Sequence, residues 1–350
     1  MIGGMSIYQI FWFFIVYSVL GWCVEVAYHA LTLGKVINRG FLNGPVCPIY
    51  GFGMLAILMV FNTISGTPYG NHALALFFGG MALTTSIELF GGWALDRLFH
   101  LRWWDYSNEP FNFHGYICLR FSVFWGLGTV FMYRIVHPTV AALTVSLLPV
   151  FIGSIVLVIL YTGFGVDLCV SVATVRGLNR DLAELDELKK KLRVVSDSMS
   201  EYIGQNTIRT AKAGIQLKEN AEHLRTEVED RALLKAGEVE GYMGAVLSGQ
   251  AARAEELQQE RIRQHEADNA EIDRQFKELE RKREELRARY EAVRAGLYKH
   301  PWFGAARLVR AFPGAVHREH NELLKEFRKR LDNREKAMKK TGSEKQSENR

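Results

Sequence analysis

Apolar residues crowd the first half of the chain and polar ones the second, and the two halves follow different patterns. Five segments, at about 5–28, 48–64, 72–95, 116–136 and 139–166, are apolar over or near the roughly 20 residues a helix needs to cross a bilayer. The second is short and the fourth contains Arg120, so four spans with a re-entrant segment stay open as an alternative. From Leu178 the pattern changes. Leu185, Leu188, Leu192, Val195, Met199 and Tyr202 recur at alternating spacings of three and four, the seam of a coiled coil. A second seam runs through Ile272, Phe276, Leu279, Leu286, Tyr290, Val293 and Leu297, with Arg283 in a core position. The glycine cluster of 237–249 between the seams reads as the tip of an antiparallel hairpin, although each arm could stand as a single long helix or pair with a separate chain. Past His300 and Pro301, residues 302–312 have the makeup of a short amphipathic interfacial helix, and the Lys/Glu/Ser-rich tail from Lys339 reads as disordered. The prediction is therefore an all-α protein. A polytopic membrane helix bundle of about five spans covers 1–175, and a cytosolic antiparallel helical hairpin or coiled coil covers 176–300. Amphipathic and basic helices follow over 301–338, then the tail at 339–350.

Charge sharpens this division. Residues 1–175 hold six of the 43 Lys and Arg and six of the 38 Asp and Glu, so the formal net charge of +5 falls on the polar half. A basic excess of that size solubilises, or favours anionic lipid headgroups, and no nucleic-acid motif accompanies it. The N-terminus lacks the basic region and small-residue cleavage site of a secretory signal, so its apolar run is expected to be a mature span. Lys35 and Arg39 fall in the first loop, Arg97 and Arg102 in the third, and Arg134 alone in the fourth. The positive-inside rule then places the first and third loops and the C-terminal half in the cytosol, with the N-terminus outside. Cys23, Cys47, Cys118 and Cys169 lack the spacing of a disulfide framework or zinc site, and His29, His100 and His114 are too scattered for a metal. No cofactor is indicated.

Two features carry candidate chemistry. The stretch 38–53 packs four glycines and two prolines between apolar segments, and non-helical backbone at membrane depth is tolerated only where protein or a watery cavity surrounds it. Within the spans, Glu25, Glu88, Arg120 and Asp167 fall at one depth on the predicted cytosolic side. An ionisable side chain in a span costs a few kcal/mol on insertion scales and is expected to face inward and pair. Arg120 with Glu88 is the preferred pair, and Glu25 faces Lys35 and Arg39. Salt bridges that merely hold the bundle together would produce the same pattern. In the third loop Trp103, Trp104 and Tyr106 suit an interfacial aromatic belt, whereas Asp105 and Asn112 among those rings suit recognition of a polar or cationic group. The candidate ligand-binding residues are thus Glu25, Asn38, Arg39, Asn43, Glu88, Trp104, Asp105, Asn112 and Arg120.

The ordered motifs Gly21-Trp22-x-x-Glu25, then Asn38-Arg39-Gly40-Phe41-Leu42-x-Gly44-Pro45-x-x-Pro48-Ile49-Tyr50-Gly51, then Glu88, then Trp103-Trp104-Asp105-Tyr106-Ser107 and Asn112-x-x-Gly115-x-Ile117 carry a family likeness. Over about the first 165 residues the chain resembles the CmpB-like permeases, bacterial membrane proteins described as putative ABC-transporter type IV. The resemblance implies an integral protein of the bacterial cytoplasmic membrane and a transport component, without a substrate or catalytic residues to carry over. No Gly-x-x-x-x-Gly-Lys-Ser/Thr phosphate loop is present, so transport driven by nucleotide hydrolysis would need an ATPase partner. A scaffold or sensor working through the coiled coil, which could also join copies of the chain, stays open. So does an inner-leaflet enzyme acting on lipid or a small molecule with Glu25, Glu88 or Asp105 as acid or base, though no nucleophile or metal motif supports it.

Overall fold

The computed structural model describes residues 2–34, 36–65, 67, 72–146, 149–234, 243–299 and 304–348. Lys35, the glycine cluster up to Tyr242, and Trp302 and Phe303 lie outside the described residues. The chain divides into two compact units, residues 1–186 together with 293–350, and residues 187–292.

Helix α1 (Ile7–Leu33) begins at a capping box, in which Ser6 and Gln9 each accept the other's backbone N–H, and ends on left-handed Gly34. Helix α2 (Pro48–Thr63) starts on a proline, whose missing N–H costs nothing at a first helical position. Helix α3 (Ala73–Phe99) follows. Strand β1 (Leu101–Arg102) and the small β2 (Asn112–Phe113) and β3 (Ile117–Cys118) hairpin shape the third loop. Helix α4 (Leu119–Phe131) then passes through a π-helical turn (Met132–Val136) into α5 (His137–Ser146). The expected break between spans at 137–138 is therefore absent. Pro138 has no N–H to give the carbonyl four residues back, and the wider π turn carries the helix past it. The next helix starts at Val150 instead.

Among the described residues three helices are long and apolar enough to cross a membrane, in the ranges Ile7–Thr32, Ala73–Phe99 and Val150–Gln216, and Pro48–Thr63 is a shorter apolar one. Their outward faces carry large apolar side chains such as Phe78, Phe90, Trp93 and Val158, as a lipid-facing surface requires. Inside, Phe13, Phe14, Tyr17, Met54, Leu58, Phe61, Leu76 and Val140 form one buried cluster from α1, α2, α3 and α5. Helices α1 and α2 approach closely because two glycines allow it. A Cβ on Gly21 would fall 2.2 Å from the Tyr50 ring, and one on Gly51 would fall 2.2 Å from Ser18 Oγ and 2.7 Å from the Phe14 carbonyl.

Helix α6 runs unbroken from Val150 to Leu234, and α7 covers Met243–Leu297. Within residues 187–292, Leu188, Val195 and Met199 are buried, Tyr202 stacks on Phe276, and Arg209 reaches Asp268. Numbers rise in one helix as they fall in the other, so the two run antiparallel at those contacts.

The segment after residue 304 departs from the expected free interfacial helix. Helix α8 (Ala305–Ala311) buries Ala306, Leu308, Val309 and Ala311 in protein. Strand β4 (Val316–His317) pairs antiparallel with β1, Phe312 packs edge-on against Trp103, and α9 (Asn321–Glu348) buries Leu323, Leu324, Phe327 and Leu331. Helix α9 continues through 339–348, where composition alone reads disorder. The C-terminal segment is thus built into the same unit as the apolar helices.

Candidate functional site

The first loop is held from both sides. Its irregular backbone leaves amides and carbonyls without helical partners, and each set requires the opposite kind of group. Asp167 on α6 supplies acceptors: Oδ1 takes the Asn43 N–H at 2.9 Å and its Nδ2 at 2.8 Å, and Oδ2 takes the Gly44 N–H at 2.7 Å. Arg307 on α8 supplies donors, Nη1 to the Gly40 carbonyl and Nη2 to the Phe41 carbonyl, both at 2.9 Å. Asn38 closes the turn from within. Its Oδ1 accepts from Trp22 Nε1 at 2.7 Å and from the Gly40 N–H, and its Nδ2 donates to the Asn43 carbonyl at 2.6 Å.

Beside this loop Arg39 turns back onto α1, its Nε 3.4 Å from Glu25 Oε2, as the sequence predicts. The guanidinium also donates to His29 Nδ1, which fixes the proton of a neutral imidazole on Nε2. Glu25 Oε1 accepts from Tyr50 Oη at 2.6 Å. The Tyr50 ring meets Trp125 edge-on with centroids 5.6 Å apart, and Trp125 Nε1 donates to Glu88 Oε2 at 3.0 Å. Tyr106 Oη donates to Glu88 Oε1 at 3.1 Å. Glu88 is 7% exposed, and among the described residues no cation lies within the 4 Å of an ion pair from it.

Arg120 does not make the expected pair with Glu88. At the start of α4 its side chain points outward, 61% exposed, with Nη1 3.6 Å from Glu109 Oε1. Glu88, in the middle of α3, faces Trp125 and the third loop instead, so its partners are neutral donors. The other third-loop candidates shape that loop. Asn112 Nδ2 donates to the Glu109 carbonyl at 2.8 Å and its Oδ1 accepts the Gly115 N–H, while Trp104 Nε1 donates to the Tyr116 carbonyl at 2.9 Å. Asp105 Oδ1 accepts from the Ser107 hydroxyl at 2.5 Å, the Ser107 N–H at 3.1 Å and Arg102 Nη1 at 3.3 Å. Partial burial opposes the charge on Asp105, but these donors outweigh it and hold the carboxyl below its ordinary range.

Several residues that complete this arrangement escape a reading of the sequence. Tyr50 and Trp125 look like ordinary span aromatics. Asp96, at the end of α3, accepts from Tyr116 Oη at 2.6 Å and pairs with Arg318 at 3.0 Å, tying the third loop to the C-terminal segment. Arg307 and Arg318 lie more than 200 residues downstream of their partners, and only the fold brings them near. In the apolar bundle Tyr17 Oη lies 2.7 Å from His137 Nδ1, with Phe13 edge-on to the imidazole. The one available signal for these was their type: a polar or charged side chain in an apolar stretch asks for a partner.

Among the described residues no group of three or more metal-ligating side chains is arranged to hold a metal ion. No curated protein and no solved structure matches the chain. A family model does match, over the part that contains the first loop, Glu25, Glu88 and the third loop. Residues 12–172 of this membrane protein match the model of the family described as Putative ABC-transporter type IV.

Proposed function

We propose that the protein is the membrane component of a transporter, with a polar site on the cytosolic side built from the first loop, Glu25, Arg39, Glu88 and the third loop. The observation that carries this reading is the clamp on residues 40–44, Arg307 on the carbonyls and Asp167 on the amides, joined through Arg39, Glu25, Tyr50 and Trp125 to the buried carboxylate of Glu88. Transporters combine irregular backbone with intramembrane charge where they hold a substrate. About five spans fit this reading, since α2 and the helix through α4 and α5 add to the three longer ones. Orientation follows the loop cations, with the N-terminus outside in a bacterial cytoplasmic membrane. Energy from nucleotide hydrolysis would come through a partner ATPase, because the chain carries no phosphate loop.

The test is uptake of a panel of labelled solutes into liposomes holding the purified full chain, with Glu88→Gln and protein-free liposomes alongside. Uptake of at least one solute by the wild type and its loss in the variant is the expected result. Failure of the whole panel, with and without candidate ATPases, would remove the reading.

One observation favours a second reading, in which the membrane half anchors a sensor or scaffold. Helix α6 passes without a break from an apolar stretch into a polar helix, so the polar half follows the apolar one directly along the chain. Deleting residues 187–292 separates the two: a scaffold loses its cellular phenotype, whereas a self-sufficient transporter keeps moving solute.

A further inference from the structure

The charges around Glu88 do not balance, and the imbalance names a ligand class. Glu25 and Glu88 are linked through Tyr50 and Trp125, and among the described residues the cation paired with them is Arg39, which lies on Glu25. Its second partner, His29, accepts a hydrogen bond and so is neutral. With both carboxylates ionised, two of them against one guanidinium among the described residues leave one negative charge, and it falls on the 93% buried Glu88. Both Glu88 oxygens accept a hydrogen bond, from Tyr106 and Trp125. That geometry suits an ionised carboxylate, which has about four acceptor positions, so two remain for a ligand. An ionised carboxylate left without a cation in such a place costs several kcal/mol.

The surroundings suit one kind of cation. Tyr106 and Trp125 reach the carboxylate, and each carries a second ring behind it: Tyr106 is stacked on Phe121 with centroids 4.9 Å apart, and Trp125 meets Tyr50 edge-on. Aromatic faces attract weakly hydrated organic cations, and a buried carboxylate supplies the counter-charge. A hydrated inorganic cation would look for several oxygen ligands, whereas here the neighbours are rings and two donors already turned to Glu88.

We propose that the site takes an organic cation, an amine or quaternary ammonium group, with Glu88 as its counter-ion and Tyr50, Tyr106 and Trp125 around it. This rests on the transport reading for its purpose but not for its test. The experiment is equilibrium binding of labelled choline to the full chain in nanodiscs, with methylammonium and acetate as competitors, for wild type and Glu88→Gln. The wild type should bind choline saturably, methylammonium should compete and acetate should not. Glu88→Gln should weaken binding by about 10- to 100-fold, as loss of a charge-assisted contact does. No saturable binding, or equal binding by the variant, would overturn the proposal. So would an infrared carboxylic-acid band lost in Glu88→Gln, because a proton would then already neutralise the site. Should the variant not fold, competition on the wild type decides. Displacement by the neutral isostere of choline, with carbon in place of nitrogen, as readily as by unlabelled choline would overturn it. Choline bound but not moved across liposomes would refute transport and leave this inference standing. A moved anion or neutral solute without choline binding would do the reverse.

Discussion

Replacing Arg307 by Met tests whether the C-terminal segment holds the first loop in place. The substitution keeps a long apolar stem in a site where α8 is enclosed, but it leaves the Gly40 and Phe41 carbonyls without their donors. Hydrogen bonds from a charged donor contribute about 1.5–3 kcal/mol each, and removing the guanidinium also relieves its own desolvation cost. That cost is visible in the site, where burial pushes the Arg307 guanidinium below its ordinary proton affinity and Asp167 only partly compensates. The balance is a loss of about 2–4 kcal/mol from the docked loop, or about 30- to 900-fold in its opening equilibrium. The Asn43 and Gly44 amides, bonded to Asp167, report that opening by hydrogen exchange. They should exchange faster by that factor in Arg307→Met, while amides of α7 within 187–292 keep their wild-type rates. Arg307→Lys should fall between, because an ammonium cannot fork to two carbonyls as a guanidinium does. Unchanged protection of Asn43 and Gly44 in Arg307→Met would refute the reasoning and leave Asp167 alone as the loop's anchor.

Other substitutions read the packing and the charges directly. Gly51→Ala places a methyl 2.7 Å from the Phe14 carbonyl, a backbone atom that cannot step aside, and should cost about 1–3 kcal/mol in thermal or denaturant unfolding. Gly53→Ala, with nothing within 4 Å, is the matched control and should leave stability unchanged or slightly higher. Arg120→Gln should change stability by no more than about 1 kcal/mol, the range of an exposed pair, and a larger loss would mean that Arg120 has a role its Glu109 contact does not show. His317 is buried, and its Nδ1 accepts the N–H groups of Glu319 and His320, so burial first and His320 second push its pKa down from 6.5 to about 4. Its contribution is complete above pH 6.5 and is lost as pH falls toward about 4, with a slope of at most about 1.4 kcal/mol per pH unit. Hydrogen exchange in β4 and α9 across that range should show it, and His317→Gln should flatten the His-dependent part of the curve. An equally steep curve in the variant would assign the effect to other groups.

Local pattern alone determined a good part of this protein. Runs of apolar residues predict α1, α2 and α3, because a helix satisfies its own backbone and needs only a continuous apolar surface to sit in lipid. Glu25 with Arg39 was legible because a loop cation so close along the chain is within reach of the end of α1. The glycines and prolines of 38–53 marked an irregular stretch, since their backbone limits do not depend on what surrounds them. Tertiary structure decided the rest. Whether Glu88 meets Arg120 or Trp125 depends on the rotation of α3 against α4, which no one-dimensional pattern specifies, and it decides whether the buried charge is cancelled. Pro138 looked like a boundary, but a π turn absorbed it within one helix. Arg307 lies 267 residues from Gly40 in a segment that reads as a surface helix, and only the pairing of β4 with β1 and the burial of α8 bring it to the loop. The loop's position in sequence was a local matter, whereas its partners depend on contacts between distant segments.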